Sequence, residues 1–330
     1  MRVLVLGGTW FLGRRVVERL HERGDEVMVV HRGVGGSGPS VPVGRLPTDR
    51  LDLAEHAGEV RGFDPQAVVD TCALTAAHVE AVLPVLPEVP AVVLSSQDVY
   101  QAYAGLVSGR CEAAVPVTED AELRRARYPH RGAGYAHVPD DYEKLDVEER
   151  WRSRGATVLR LPLIYGPHDW QHREEPVLRR LRAGRRRVPV GAADLLWTRG
   201  HVDDLATGVL SALDTRAADG MTFNLGELRT WPLSTWFEQI IEAAGADAEL
   251  VRVPDRALPP DLALTAAPAQ HLLFSTARAQ AVLGWAPRDP AERVAESVRW
   301  HLAHPPAEAA WTEADTAADE AALAQAMARG

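Results

Sequence analysis

Cysteine is scarce: the 330-residue chain has two, Cys72 and Cys111. That excludes a disulfide framework and a cysteine-based metal site. Long apolar runs are missing too, so no segment is long enough to span a bilayer and no membrane partner is expected. The first apolar stretch is short and passes straight into glycines, unlike a secretory signal. Nor is there an excess of positive charge. The formal net charge is −10, which argues against nucleic acid as a partner. The twelve histidines are scattered. His168 and His172 form a close pair after Gly166-Pro167, where substrate contact is a better reading than metal. There is no internal repeat. The remainder, 46% hydrophobic and 25% charged, is ordinary globular composition. It fits a cytoplasmic protein of one large domain with an annex, or of two domains.

What is present concentrates in the first twenty residues. Arg2 to Leu6 reads RVLVL, the continuous apolar run of a buried parallel strand. Gly7, Gly8, Thr9, Trp10, Phe11, Leu12 and Gly13 follow. Next comes an amphipathic run with Val16, Val17 and Leu20 set between Arg14, Arg15, Glu18 and Arg19. This predicts a strand, a glycine turn and a helix. Glycines let the backbone turn tightly and approach a ligand. The helix start offers free N–H groups and a positive dipole end to a pyrophosphate. The apolar run around Val27 to Val30 supplies the second strand of a βαβ unit. An acid usually ends that strand in an NAD site, but here His31-Arg32 stands there. A cation suits a 2′-phosphate, so NADP is favoured, with NAD as the alternative.

Further along, Gly33 to Gly38 is a glycine-rich loop beside the nucleotide site. Asp49 and Arg50 follow a weakly marked third strand, and an acid there either accepts from an adenine amino group or makes a plain turn. Residues 67–71 and 90–96 read as further strands, and a sixth lies within 156–163. Strands alternating with helical stretches imply an α/β fold with a doubly wound parallel sheet. Ligands sit outside the carboxyl ends of such strands. Ser95 and Ser96 are at one such end, for chemistry or for capping a turn. Residues 101–139 read as a long irregular segment, and a helix opens at Asp140. The arginines of 178–187 read either as a phosphate clamp or, preferably, as a solvated helix end. From Trp231 to Leu302 the pattern is helices with proline-rich links, one of them stopped by Gly284. The tail after Pro306 reads as a frayed end.

Taken together, these residues resemble the extended short-chain dehydrogenase/reductases, the NAD(P)-dependent epimerase/dehydratase group. The markers are Gly7 to Gly13, Asp49-Arg50, Ser95-Ser96 with Val99-Tyr100, Lys144, and Tyr165-Gly166-Pro167. His201 to Asp204, Asn224-Leu225-Gly226 and Leu283-Gly284-Trp285 complete them. The resemblance implies a Rossmann-type domain over 1–165, with 198–226 returning to it. Residues 166–197 and 227–304 would form a smaller substrate region, and 305–330 a tail. It implies that the turn Gly7, Gly8, Thr9, Trp10, Phe11, Leu12, Gly13 holds the pyrophosphate. Arg32 would meet a 2′-phosphate, and Asp49 with Arg50 the adenine. Pro162, Leu163 and Ile164 would line the nicotinamide, and Lys144 would bind its ribose. Ser96 would hydrogen-bond the substrate oxygen, with Tyr165 and Arg173 also on the substrate. The expected partner is a small molecule, sugar-like or nucleotide-linked, with a homodimer left open.

Two positions depart from the family pattern. Trp10 replaces the middle glycine of the turn, as in a subgroup reading Gly-Gly-Thr-x-Phe-x-Gly. That turn also resembles chloroplast stem-loop RNA-binding relatives, although the acidic balance disfavours RNA. The family's catalytic tyrosine stands four residues before the lysine, and here that residue is Asp140. Tyr142, two before Lys144, points to another helix face and substitutes only if the helix start is unwound. Asp140 and Tyr142 therefore share the expectation for acid–base work. The readings are an NADP-dependent reductase, epimerase or dehydratase acting on a hydroxyl or carbonyl carbon, a non-redox isomerase or lyase using Asp140, and a non-catalytic nucleotide-binding protein.

Overall fold

The apolar strand runs pair side by side. In the computed structural model, which describes residues 1–33, 38–307 and 310–326, seven strands form one parallel sheet. They are β1 (Arg2–Leu6), β2 (Glu26–His31), β3 (Gly44–Pro47), β4 (Ala67–Asp70), β5 (Ala91–Ser96), β6 (Thr157–Leu161) and, numbered below, the edge strand Thr222–Asn224. The order is edge strand, β6, β5, β4, β1, β2, β3. It reverses between β1 and β4, which opens a crevice at their carboxyl ends.

Both faces of the sheet are covered, which is why its strands are apolar throughout. Helix α1 (Phe11–Glu22) buries Leu12, Val16, Val17 and Leu20 on one face. Helices α2 (Ala57–Phe63), α3 (Ala76–Glu80), α4 (Gln101–Ser108) and α5 (Lys144–Arg152) follow in sequence. From α5, Val147 and Trp151 pack on the opposite face with Leu4, Leu6 and Val68.

After β6 the chain leaves the sheet through β7 (Leu163–Tyr165), α6 (Glu175–Arg182) and β8 (Arg187–Val190). It returns by β9 (Arg199–His201), paired with β7, then α7 (Val202–Asp214) and the edge strand β10 (Thr222–Asn224). Helix α9 (Ala277–Leu283) packs Ala279 and Leu283 into the main sheet core, while a second core gathers around α8 (Leu233–Ala243), β11 (Glu249–Arg252) and α10 (Pro290–Ala303), with β11 paired to β8. Its apolar centre includes Tyr165, Val177, Trp236, Ile240 and Val298.

Three local expectations are corrected. Residues 101–108 are helical rather than irregular. The helix expected from Asp140 starts at Lys144, because Glu143 is its N-cap and is held extended (φ −156°). The buried Glu143 carboxylate is bound by Arg124 and Arg127, which fixes where the helix begins. The tail is a docked helix, α11 (Glu313–Leu323), opened by a capping box between Thr312 and Asp315. The centre of the glycine-rich loop, residues 34–37, lies outside the described residues.

Candidate active site

The turn after β1 fits a dinucleotide pyrophosphate. Gly7 has φ +87° and packs on the end of β4. A Cβ at Gly7 would stand 2.6 Å from Thr71 Oγ1 and 2.7 Å from Cys72 Sγ. At Gly13 a Cβ would lie 2.9 Å from Thr71 Oγ1. Trp10 is the N-cap of α1, yet its indole makes no capping hydrogen bond. The first-turn N–H groups therefore remain available to an anion. Phe11 has φ +37°, uncommon for a residue with a large side chain and a form of strain that gathers at ligand-binding turns. Leu12 is turned into the core, so its contribution to the turn is backbone only.

At the other end of the cradle, Arg32 follows β2 with its side chain 70% exposed. Its Nε is 3.9 Å from Asp49 Oδ2, while Asp49 Oδ1 accepts from Leu51 N at 2.9 Å. Arg50 departs from the adenine role expected of it. Its guanidinium is buried and makes a two-pronged bond to Asp70 (2.9 and 2.7 Å), with Nε donating to His78 O. The fully buried Asp70 takes up that charge, so Arg50 braces the end of β4 instead of facing a ligand.

The chemistry-bearing groups meet at the end of β5. Ser96 Oγ accepts from Asp98 N at 3.2 Å. Tyr142 Oη donates to Asp98 Oδ2 at 2.7 Å. His130 Nε2 lies 3.4 Å from the same oxygen. Because α5 begins at Lys144, Tyr142 sits in the unwound turn before it, and its phenol reaches the Ser96 side of the sheet. Burial and the Asp98 carboxylate push that phenol well above its ordinary pKa, while the Ser96 hydroxyl acts the other way. Lys144 is buried, and its Nζ donates to Ala73 O (2.6 Å) and Leu94 O (3.0 Å). Burial lowers its pKa, against the pull of Asp70 and Asp98.

Asp140 is elsewhere. It is exposed, accepting from Gly132 N at 3.0 Å, and it does not line the cavity. This corrects the expectation of Asp140 as a working acid. The reason is the late helix start, which leaves Asp140 in a solvent-facing turn. Tyr165 is also corrected as a substrate contact. It is 1% exposed and packs against His201 and Trp236 in the second core.

A cavity of about 410 Å³ opens beside Ser96 and Asp98. Pro162 and Leu163 line it, and so do Tyr103, Tyr135, Trp170 and Arg173. Ile164 is not on the wall; its carbonyl holds Arg173 Nε at 2.9 Å. Arg173 also borders a second cavity of about 210 Å³. Among the described residues no group of His, Cys, Asp or Glu is arranged to hold a metal. No helix among them is long and apolar enough to cross a membrane.

The arginines of 178–187 are taken up by acids. Arg180 is bound by Asp261 and Asp319, Arg179 by Asp315, and Arg182 by Glu175. Arg179 and Arg180, with Arg185 through Glu320, hold α11 against α6, whereas Arg182, Arg186 and Arg187 are exposed and fit the solvated helix end expected for the block. Asp98 and His130 were missed by the sequence reading. Asp98 lay inside the Ser96–Tyr100 marker and was the overlooked signal. Nothing in the spacing of residues 101–139 marked His130.

The profile of the NAD dependent epimerase/dehydratase family matches residues 3–226. The chain is 28% identical over 313 residues to the chloroplast stem-loop binding protein of 41 kDa b of Arabidopsis thaliana, covering 87% of this chain and 75% of that protein. It is 25% identical over 333 residues to a 3-diazoavenalumate denitrifying reductase of Streptomyces sp, covering 89% and 98%. Among solved structures, a UDP-glucose 4-epimerase superposes with TM-score 0.72 at 17% identity, over 95% of this chain and all of that one (100%). The dTDP-glucose 4,6-dehydratase of Bacillus anthracis, in complex with NAD, gives 0.68 at 16% identity, over 94% and 98%. These two likenesses establish the fold.

Proposed function

The chain belongs to the NAD dependent epimerase/dehydratase family, and from that premise we propose an NADP-dependent enzyme of the reductase, epimerase or dehydratase type. It acts on a hydroxyl or carbonyl carbon of a sugar-like or nucleotide-linked small molecule. The observation that carries this reading is the continuity of the site. The glycine cradle follows β1 and packs on the end of β4, and the cavity opens at the end of the neighbouring β5, beside Ser96 and Asp98, with Tyr142 hydrogen-bonded to Asp98 behind the wall.

The nicotinamide, when bound, exchanges hydride with the reacting carbon. The chain's own residues do the rest. Gly7 and Gly13 leave room for the pyrophosphate, and the exposed Arg32, only loosely paired with Asp49, meets a 2′-phosphate. Pro162 and Leu163 give the nicotinamide an apolar wall. Ser96 holds the substrate oxygen, and Tyr142 exchanges a proton with it. Arg173 meets an anionic part of the substrate between the two cavities. Asp140 faces solvent, where its carboxylate accepts from Gly132 N, so the non-redox alternative built on it draws no support.

The test is direct. Small molecules that copurify with the protein are identified by mass spectrometry and offered back with NADPH or NADP, following nicotinamide absorbance and the product. Turnover that needs the nicotinamide supports the reading. Absence of both nucleotide binding and turnover overturns it.

A further inference from the structure

We propose that Asp98 is the positioning residue and proton acceptor for Tyr142, and that His130 connects it to solvent. This rests on the reading that the site works on a hydroxyl or carbonyl carbon. One carboxylate oxygen, Asp98 Oδ2, takes the Tyr142 phenol at 2.7 Å and faces His130 Nε2 at 3.4 Å. The other, Oδ1, is buried and has no hydrogen-bond partner among the described residues. Asp98 itself is 6% exposed and lines the main cavity. A buried, unpaired carboxylate oxygen costs stability and calls for a functional account.

Lys144 is not placed to tune Tyr142 as a lysine one helical turn away would be. Two of its three ammonium donors are held by Ala73 O and Leu94 O. The phenol's direct partner is a carboxylate instead. Tyr142 is faced by Asp98, Ser96 and, through the ring, His130, with Arg124 more distant. Asp98 is faced by Tyr142 and His130, with Lys144 and Tyr103 also in its field. His130 is surrounded by Asp98 and the rings of Tyr103, Tyr135 and Tyr142.

The arrangement relays protons from the substrate to His130 in three transfers, the first two in one step. In the oxidising direction the substrate O–H bond breaks and its proton joins Tyr142 Oη. In the same step the phenol's own O–H bond breaks and that proton joins Asp98 Oδ2. Tyr142 stays neutral, the substrate oxygen keeps its electron pair, and the negative charge moves from Asp98 to that oxygen. The carboxylic acid then hands its proton to His130 Nε2, whose side chain is 15% exposed. The reducing direction runs the same transfers backwards. A phenol too basic to ionise by itself near neutral pH thereby works without a free phenolate.

The first test uses the protein without cofactor. The ultraviolet titration difference between wild type and Tyr142→Phe isolates Tyr142. Asp98→Asn removes the facing charge and lowers the Tyr142 midpoint by about one pH unit or more; an unmoved midpoint overturns the proposal. With the copurified substrate and NADPH, Asp98→Asn loses about 100-fold or more in kcat with KM little changed. Retention of kcat within about twofold overturns the proposal. His130→Gln slows turnover and added imidazole restores it; slowing without rescue removes His130 from the path. If Asp98→Asn fails to fold, Asp98→Glu and His130→Gln carry the same titration and rescue, and no response in either overturns the proposal. If the wild type turns nothing over, the functional reading falls, while the titration still decides whether Asp98 controls Tyr142.

Discussion

Trp10 and Trp170 stack face to face, with ring centroids 5.7 Å apart and planes 2° from parallel. His137 stands edge-on to both, at 4.9 and 5.7 Å. Trp10 is the N-cap of the helix that follows the glycine turn, and Trp170 lines the main cavity. The stack therefore joins the glycine turn to the wall of the main cavity. Both rings remain about two-fifths exposed (40% and 38%), so removing one leaves no cavity in the core. Trp10→Ala is expected to weaken NADPH binding by about tenfold, the scale of one lost aromatic pair with its burial. Global stability stays within about 0.5 kcal/mol. Calorimetric titration and thermal melts check the two parts, and unchanged affinity contradicts the bridging role.

Among the described residues Arg32 has one ion pair, to Asp49, and that pair is long at 3.9 Å. Its guanidinium is held loosely and is free to turn to a phosphate. Arg32→Ala is expected to cost about 1–2 kcal/mol of NADP affinity, a factor of roughly 5 to 30. The effect on NAD should be small. The NADP loss should shrink in high salt, because the site is exposed and screened. Titrations of both cofactors at two ionic strengths test this, and an NADP loss no larger than the NAD loss ends the assignment.

These two cases show what the sequence makes legible. The strand, glycine turn, helix and second strand could be read because each signal is local: apolar runs, glycines and helical spacing within some thirty residues. The surroundings of Tyr142 could not. Whether Tyr142 faces Ser96 depends on the helix starting at Lys144, and that start is set by Glu143 meeting Arg124, nineteen residues earlier. Arg50 misled for a related reason. Beside Asp49 it reads as a surface turn, yet it is drawn into the sheet by Asp70. The tail carried a readable start in Thr312 and Asp315, but its docking is a matter of acids matching arginines more than a hundred residues away.

That docking gives a third prediction. Arg180 is 2% exposed, and its guanidinium is held by Asp319 (2.8 Å) and Asp261 (2.7 Å). Trp311 lies beside it, with its ring centroid 5.3 Å from the guanidinium carbon. Arg180→Met leaves the fully buried Asp319 without a counter-charge, which should cost about 3–5 kcal/mol. Arg185→Ala loses only a surface pair to Glu320 (3.4 Å) and should cost under about 1 kcal/mol. Denaturant unfolding compares the two. Limited proteolysis should cut Arg180→Met after Pro306 faster than it cuts wild type. Equal stability of the two variants would show that α11 is not held by this cluster.

The last prediction concerns the turn that carries Arg173. Glu174, its neighbour, is buried between Ser297, which donates to Oε1, and His301, whose Nε2 is 3.4 Å from Oε2. Burial, reinforced by Asp169, raises the Glu174 pKa from 4.5 to about 8. Burial lowers that of His301 from 6.5 to about 4. Near neutral pH both are therefore uncharged in the folded protein. Between pH 4.5 and about 8 the native state holds a proton on Glu174 that the unfolded chain has released. Stability must fall as pH rises through that window. His301 acts at the other end: the unfolded chain takes up a proton below 6.5 and the native state does so only near 4, so stability also falls as pH drops through that range. Glu174→Gln keeps an acceptor for Ser297 and has nothing to ionise. It should gain about 1–3 kcal/mol over wild type around pH 9 and little around pH 5. Denaturant unfolding across that span checks it. Parallel curves for the two proteins would mean that Glu174 ionises in the folded state as readily as in the unfolded one, and that the turn beneath Arg173 is open to water.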